Sequence, residues 1–196
     1  MSIKTKVLGA AATLTVACAV TTAGAIPVRA ATLQCGPGCI QVYNARLGAS
    51  FIESVLDGVA QVGQPTILGA ASGSNPAGDF MPMPGHVSDF YASGMVSAEV
   101  NSHYGNLPAL QLKYAPHGQG TGLCSGVAEI AYQNEPLSLQ PCSTPGTTVF
   151  IIDSAVAPGS GSNSGYFAII DGSTTDFSHP FVMTYKHDSP ARASMP

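Results

Sequence analysis

Leu123-Cys124-Ser125-Gly126-Val127, Pro136-Leu137-Ser138-Leu139-Gln140-Pro141-Cys142 and Thr148-Val149-Phe150 carry the reading of this chain. Each is a short apolar run cut off by glycine, proline or serine, the mark of a β-strand between turns. Runs of this kind recur outward from there, from Cys39 to Lys186. They predict about twelve strands, near 39–43, 51–56, 65–69, 79–83, 87–91, 95–100, 109–115, 123–130, 136–140, 147–153, 166–170 and 181–186. Only Phe51–Gly58 and Met95–Tyr104 can be argued as helix. The expected class is all-β.

A repeat lies under these strands. Gly63–Ser72 matches Asn134–Ser143, and each is followed by a phenylalanine, Phe80 or Phe150. A weaker copy runs over His179–Tyr185. Pro136 to Pro180 and Leu139 to Met183 both span 44 residues, whereas Pro65 to Pro136 spans 71, so the middle unit must be rebuilt or contracted. Internal self-similarity of this kind marks a fold assembled from copies of one unit.

Composition agrees. The 196 residues are 45 % hydrophobic and only 9 % charged, with 22 glycines and 15 prolines. A globular domain usually has about 25 % charged residues, so few surface positions here carry ions. No heptad or Gly-X-Y period is present, which excludes coiled coil and collagen. Residues 1–31 read as a secretory signal: Lys4 and Lys6, an uncharged run from Val7 to Val20, then small residues at Ala23–Ala25 and Val28–Ala30. That run is shorter than the roughly 20 apolar residues a membrane anchor needs. Cleavage after Ala25 and cleavage near Ala30–Ala31 are both open. One domain over 32–187 and a polar tail over 188–196 are expected to follow.

Losing Lys4, Lys6 and Arg29 leaves four basic residues against eleven acidic ones, a net charge of −7. That sign repels phosphate backbones and anionic membranes, and the remaining cations, Arg46, Lys113, Lys186 and Arg192, are scattered. Nucleic acid is excluded as a partner. Four cysteines stay in the exported chain: Cys35, Cys39, Cys124 and Cys142. An even count in a secreted protein predicts two disulfides, with three connectivities open. Gly36-Pro37-Gly38 is a turn able to bring Cys35 and Cys39 together.

Leu123–Val127, Pro136–Cys142 and Thr148–Phe150 together resemble the ricin-B-type β-trefoil lectin repeat, whose pattern is C-L-D-V, then V-x-L-x-x-C, then Q-x-W. Ile52-Glu53-Ser54-Val55, Leu68 and Gly78-Asp79-Phe80 are similar to a second copy without cysteines. The resemblance implies a β-trefoil of about twelve strands in three repeats, and a Cys124–Cys142 bridge within one repeat. It departs at the sugar-binding positions. Gly126 and Ser54 replace the lectin Asp, Thr148 and Gly78 replace the Gln, and Phe150 and Phe80 replace the Trp. Trefoil geometry would set Tyr132, Asn134 and Gln140 beside the pocket of the second repeat, so these are the candidate ligand-binding residues. Val87–Gly94, Leu112–Gly120 and Phe177–Tyr185 also resemble a family of small secreted bacterial proteins.

No catalytic constellation competes with this reading. Gly122-Leu123-Cys124-Ser125-Gly126 imitates a nucleophile elbow, but it lacks a following helical pattern and its cysteine is expected in a disulfide. The five histidines show no H-x-H or H-E-x-x-H spacing. A metal site from His179, His187 and Asp188 competes with plain exposed side chains around the last strand. Asp153, Asp171 and Asp176 stand beside turns, where such carboxylates usually bond their own backbone. The expectation is a secreted, non-catalytic binding module without cofactor or metal, taking carbohydrate or another cell-surface component. A secreted protein-binding or inhibitory domain, presenting loops such as 101–108, 116–122 and 158–165, is the alternative; a secreted hydrolase is a third.

Overall fold

Short runs give short strands. The computed structural model describes residues 38–43, 51–70, 76–153, 168–184 and 192–194, all within one compact unit that spans Ala31–Pro196. The strands there are β1 Phe51–Val55, β2 Thr66–Ala70, β3 Phe80–His86, β4 Pro108–Tyr114, β5 Leu123–Gly126 and β6 Glu135–Pro136. They continue with β7 Ser138–Pro141, β8 Phe150–Asp153, β9 Ala168–Asp171, β10 Val182–Thr184 and β11 Arg192–Ser194. Two short helices, α1 Val87–Ala92 and α2 Ala98–Tyr104, stand between β3 and β4. The class is all-β. No helix among the described residues is long and apolar enough to cross a membrane.

All strand pairs are antiparallel. β4 organises the sheet. One edge of β4 runs along the whole of β3, from Phe80↔Tyr114 to His86↔Pro108. Its other edge is shared by β8, at Ala109 and Leu110, and by β5, at Lys113. β5 pairs with β7, and Pro65↔Ser138 carries the hydrogen bonding on to β2 and β1. Tyr43↔Ile52 and Ile40↔Phe80 then lead back to β3, so the pairings close in a ring. Closure leaves the strands of that ring without the free edges that make sheets associate. Pro82 and Pro84 in β3 point the same way, since neither can donate to a further strand.

The core fills from both parts of the molecule. Phe80, Tyr114, Leu112, Leu139 and Phe150 form one buried cluster with Val55, Val127 and Leu137. Val87, Val96 and Val100 of the helical segment join Val149, Ile151, Ile170 and Val182 in a second. Phe80 and Phe150 point inward and are fully buried. Phe90 and Phe181 are half-buried against these clusters, while Phe167 lies outside the described residues.

Four local readings change. Residues 87–91, expected as a strand, form helix α1. Val87 and Phe90 share a helical face toward the second core cluster, and the His86 N–H donates to Asp89 Oδ2 at 2.8 Å to close the first turn. The 95–100 run becomes helical from Ala98, where Ser97 caps it by accepting from the Val100 N–H at 3.2 Å. Phe51–Gly58 resolves into β1 and a 3₁₀ turn over Leu56–Gly58. β11 lies inside the segment read as a polar tail, paired with β10 and β6.

Candidate functional site

The positions at which the lectin resemblance puts its sugar contacts lie on β5 and β1 and in the turns that precede β8 and β3. A Cβ on Gly126 would lie 2.3 Å from the Thr147 carbonyl oxygen, so no side chain fits there. Its counterpart Ser54 is buried in β1, 3.4 Å from the Ile52 carbonyl to which its hydroxyl donates. A Cβ on Gly78 would meet Ile52 Cδ1 at 2.4 Å. Thr148 is fully buried; its hydroxyl accepts from Gln111 Nε2 at 2.8 Å and donates to the Thr144 carbonyl at 3.1 Å. All four positions are packed against protein.

The disulfide implied by the resemblance is present: Cys124 and Cys142 are bonded, with Cα atoms 4.9 Å apart. Cys39 is also disulfide-bonded; Cys35, its expected partner, lies outside the described residues. Cys124 is therefore a structural sulfur rather than a nucleophile.

Among the three candidate ligand residues, Gln140 is buried in β7, where its Nε2 donates to the Ser138 hydroxyl at 2.8 Å. Tyr132 and Asn134 are exposed on one turn, closed by the Glu135 N–H donating to the Tyr132 carbonyl at 3.0 Å. Asn134 stands in the left-handed region of that turn, at φ 66°, a conformation asparagine tolerates better than most residues. Gln140 thus points into protein, and the other two face solvent.

A more complete arrangement exists where α2 turns into β4. Ser88, Asn101, His103, Tyr104, Gly105 and Asn106 line an open groove of about 320 Å³. The Ser88 N–H donates to the Gly105 carbonyl and the Val87 N–H to the Leu107 carbonyl, both at 3.1 Å, tying α1 to this turn. Gly105 is required for the close approach: a Cβ there would lie 2.6 Å from the Asn101 carbonyl. Phe177, from the turn after β9, stacks on the His103 ring at 4.0 Å with the planes 9° apart. Tyr104 tilts beside it, its centroid 5.9 Å from Phe177. Asn101 Oδ1 is buried without a partner.

Charge at this place is negative. Burial raises the Tyr104 hydroxyl above its usual range, and the charges of Asp153 and Asp176 add to the effect, so the phenol stays a hydrogen-bond donor. Asp176 is held below the usual carboxylate range, first by the Ser178 hydroxyl and then by the His179 N–H. Neither 76–107 nor 168–184 contains a lysine or arginine. Asp171 and Asp176 do bond their own backbone as expected beside turns, from the Ser173 and Ser178 N–H groups at 2.8 and 3.0 Å.

Sequence reasoning named 101–108 as a presenting loop, yet it missed Phe177 and the ring stack. His103 and Phe177 are 74 positions apart, and no local pattern announces their meeting. Comparison with family models, with curated proteins and with solved structures returns no match.

Proposed function

We propose that this chain is a secreted, non-catalytic carbohydrate-binding module built on a degenerate β-trefoil, with its sugar site in the groove at the end of α2. The observation that carries the site is the His103–Phe177 stack with Tyr104 at its side. Sugar recognition pairs a flat apolar face with convergent hydrogen-bonding groups, and Asn101, Asn106 and Ser88 supply the polar part. Carboxylates without a facing cation favour neutral or amino sugars and disfavour uronic acids.

The trefoil part is supported by a pairing scheme that recurs. Tyr43↔Ile52, Lys113↔Cys124 and Ile170↔Val182 each lead an incoming strand into a hairpin, β1–β2, β5–β7 or β10–β11. Ile40↔Phe80 and Ala109↔Ile151 bring an outgoing strand back beside the incoming one in the first two cases. Export is supported by the basic start, the apolar run to Val20 and the Cys124–Cys142 bridge, which an oxidising compartment preserves. Mass spectrometry of culture supernatant should find a new N-terminus after Ala25 or near Ala30–Ala31.

A glycan array and a polysaccharide pull-down on the exported chain test the function. Neutral or amino-sugar polymers are expected to be retained, and His103→Ala should weaken binding about tenfold, the loss of one stacking contact. No glycan signal above background from folded protein would overturn the proposal, as would wild-type affinity in His103→Ala. Recovery of one stoichiometric protein partner in place of glycan would favour the protein-binding alternative.

A further inference from the structure

Two Asp-Gly pairs occur in the chain, Asp57-Gly58 and Asp171-Gly172, and the fold treats them in opposite ways. Asp57 is exposed in the 3₁₀ turn that follows β1. Its backbone stands at φ 56° and ψ 7°, in the left-handed region that a Cβ disfavours, and Gly58 follows at φ 68°. Both residues line an open hollow of about 540 Å³ beside Ser54, Ile67 and Gly69, so water reaches the pair. Asp171, in contrast, ends β9 and is 2 % exposed. Its Oδ1 accepts from the Ser173 N–H at 2.8 Å and from the Ser173 hydroxyl at 2.5 Å. The Gly172 N–H donates to the Val149 carbonyl at 2.8 Å, and a Cβ on Gly172 would lie 2.8 Å from that same oxygen.

An aspartate followed by glycine can close on itself. The glycine amide nitrogen attacks the carboxyl carbon Cγ, a C–N bond forms, and the carboxyl hydroxyl leaves with the amide hydrogen as water, giving a succinimide ring. Water then opens the ring at one of two bonds. Breaking the bond from Cγ to nitrogen restores aspartate. Breaking the bond from nitrogen to the main-chain carbonyl carbon leaves the chain running through Cγ, as isoaspartate. Nothing is oxidised or reduced, and the water lost is the water regained. We propose that Asp57-Gly58 is a modification site, isomerising in this way in the folded protein and ageing the turn between β1 and β2, while Asp171-Gly172 is protected. The inference is independent of the sugar reading.

The backbone decides between the two pairs. With ψ at 7° the Gly58 nitrogen eclipses the Asp57 nitrogen rather than Cβ, so ring closure needs rotation about the Asp57 Cα–C bond. Gly58 has no Cβ to obstruct that rotation. The turn also lies outside the ladder that pairs Phe51–Val55 with Thr66–Ala70. At Asp171 the residue is itself in a ladder, opposite Phe150. Rotation there would break the Gly172–Val149 bond and draw the carboxyl from Ser173 inside packed protein, leaving buried polar groups unpaired. The product at 57 is felt by the core. Tyr114 is fully buried and donates its hydroxyl to the Gly58 carbonyl at 3.0 Å. Isoaspartate puts an extra main-chain carbon one residue before that carbonyl, which displaces the bond and lowers the melting point.

The test is peptide mapping by electron-transfer mass spectrometry, which tells isoaspartate from aspartate. Folded protein and protein in guanidinium chloride are held warm at neutral pH until the denatured chain carries isoaspartate at both Asp-Gly pairs. The folded protein should then carry isoaspartate at 57 and none above its starting level at 171, and the modified fraction should melt below the unmodified one. Asp57→Glu, whose longer side chain disfavours ring closure, should accumulate none at 57. Asp57→Asn, which keeps the left-handed backbone and loses ammonia instead of water, should convert faster than wild type into a mixture of aspartate and isoaspartate. Folded protein that stays unmodified at 57 while the denatured chain converts would overturn the proposal, as would equal conversion at 57 and 171. A modified fraction that melts with the unmodified one would overturn the effect on the turn. The wild-type comparison decides even if neither variant folds.

Discussion

The β1–β2 and β5–β7 hairpins solve one problem in two ways. β1–β2 pairs over five positions, Phe51↔Ala70 to Val55↔Thr66, and has no disulfide between its strands. β5–β7 pairs over four, Leu123↔Pro141 to Gly126↔Ser138, and is closed by Cys124–Cys142. They meet through a buried bond in which the Ser125 hydroxyl donates to Glu53 Oε1 at 2.5 Å. The lesson is that the cysteines, which made one hairpin recognisable, do only part of the fixing. A polar contact that joins the two hairpins, 72 positions apart in the chain, does another part.

The largest predicted effect comes from forcing the lectin aspartate back. Gly126→Asp restores the missing letter of C-L-D-V, but it sets a side chain against the Thr147 carbonyl, which is backbone and cannot step aside. The variant should lose about 4 kcal/mol or more, in the range reserved for overpacking and unpaired buried charge. Chemical denaturation would register it, and a variant as stable as wild type would show that this hairpin can open a pocket after all. Ser54 should tolerate Asp less badly, being a side-chain-bearing position already.

Next is the bridge. Cys142→Ser frees the segment between 124 and 142, and the chain-entropy model gives a loss of about 3 kcal/mol. Cys124 should then react with an alkylating reagent only on unfolding, because it is fully buried. If the loss is far smaller, the hairpin is held chiefly by its ladder and by Glu53.

Ser125→Ala sharpens the same comparison. It removes the donor to Glu53 Oε1 and leaves a buried carboxylate short of a bond, which should cost about 2 kcal/mol. A double-mutant cycle with Cys142→Ser should show coupling, since Ser125 and Cys124 are neighbours on β5. Strict additivity would mean that the disulfide and the polar contact act on separate parts of the fold.

Much of the fold was legible because it is local. Alternating runs between glycines and prolines gave most strands to within a few residues, and the repeat pointed to both hairpins. α1 was misread because Phe90 and Tyr91 favour strands in isolation, while the Val87–Phe90 spacing fits one face of a helix. Its cap, Asp89 reaching back to the His86 N–H, lacks the usual Ser or Thr at the first position. The groove was illegible for another reason. His103, Phe177 and Tyr104 meet only after β4 to β9 have folded between them.

The smallest effect concerns Asn134, chosen from trefoil geometry as a ligand residue. Its place in the structure gives its identity a backbone explanation. At φ 66° it occupies the third position of the Tyr132–Glu135 turn, where an ordinary side chain costs about 1–2 kcal/mol. Asn134→Ala should lose up to about that amount, whereas Asn134→Gly, free of the penalty, should melt within about 0.5 kcal/mol of wild type. Both variants delete the amide, so glycan affinity separates the roles. If Asn134 serves the turn alone, Asn134→Gly binds as wild type does and Asn134→Ala follows its stability. An affinity lost equally in both variants, with Asn134→Gly still as stable as wild type, would give the amide a ligand and move the sugar site from the α2 groove to the second hairpin.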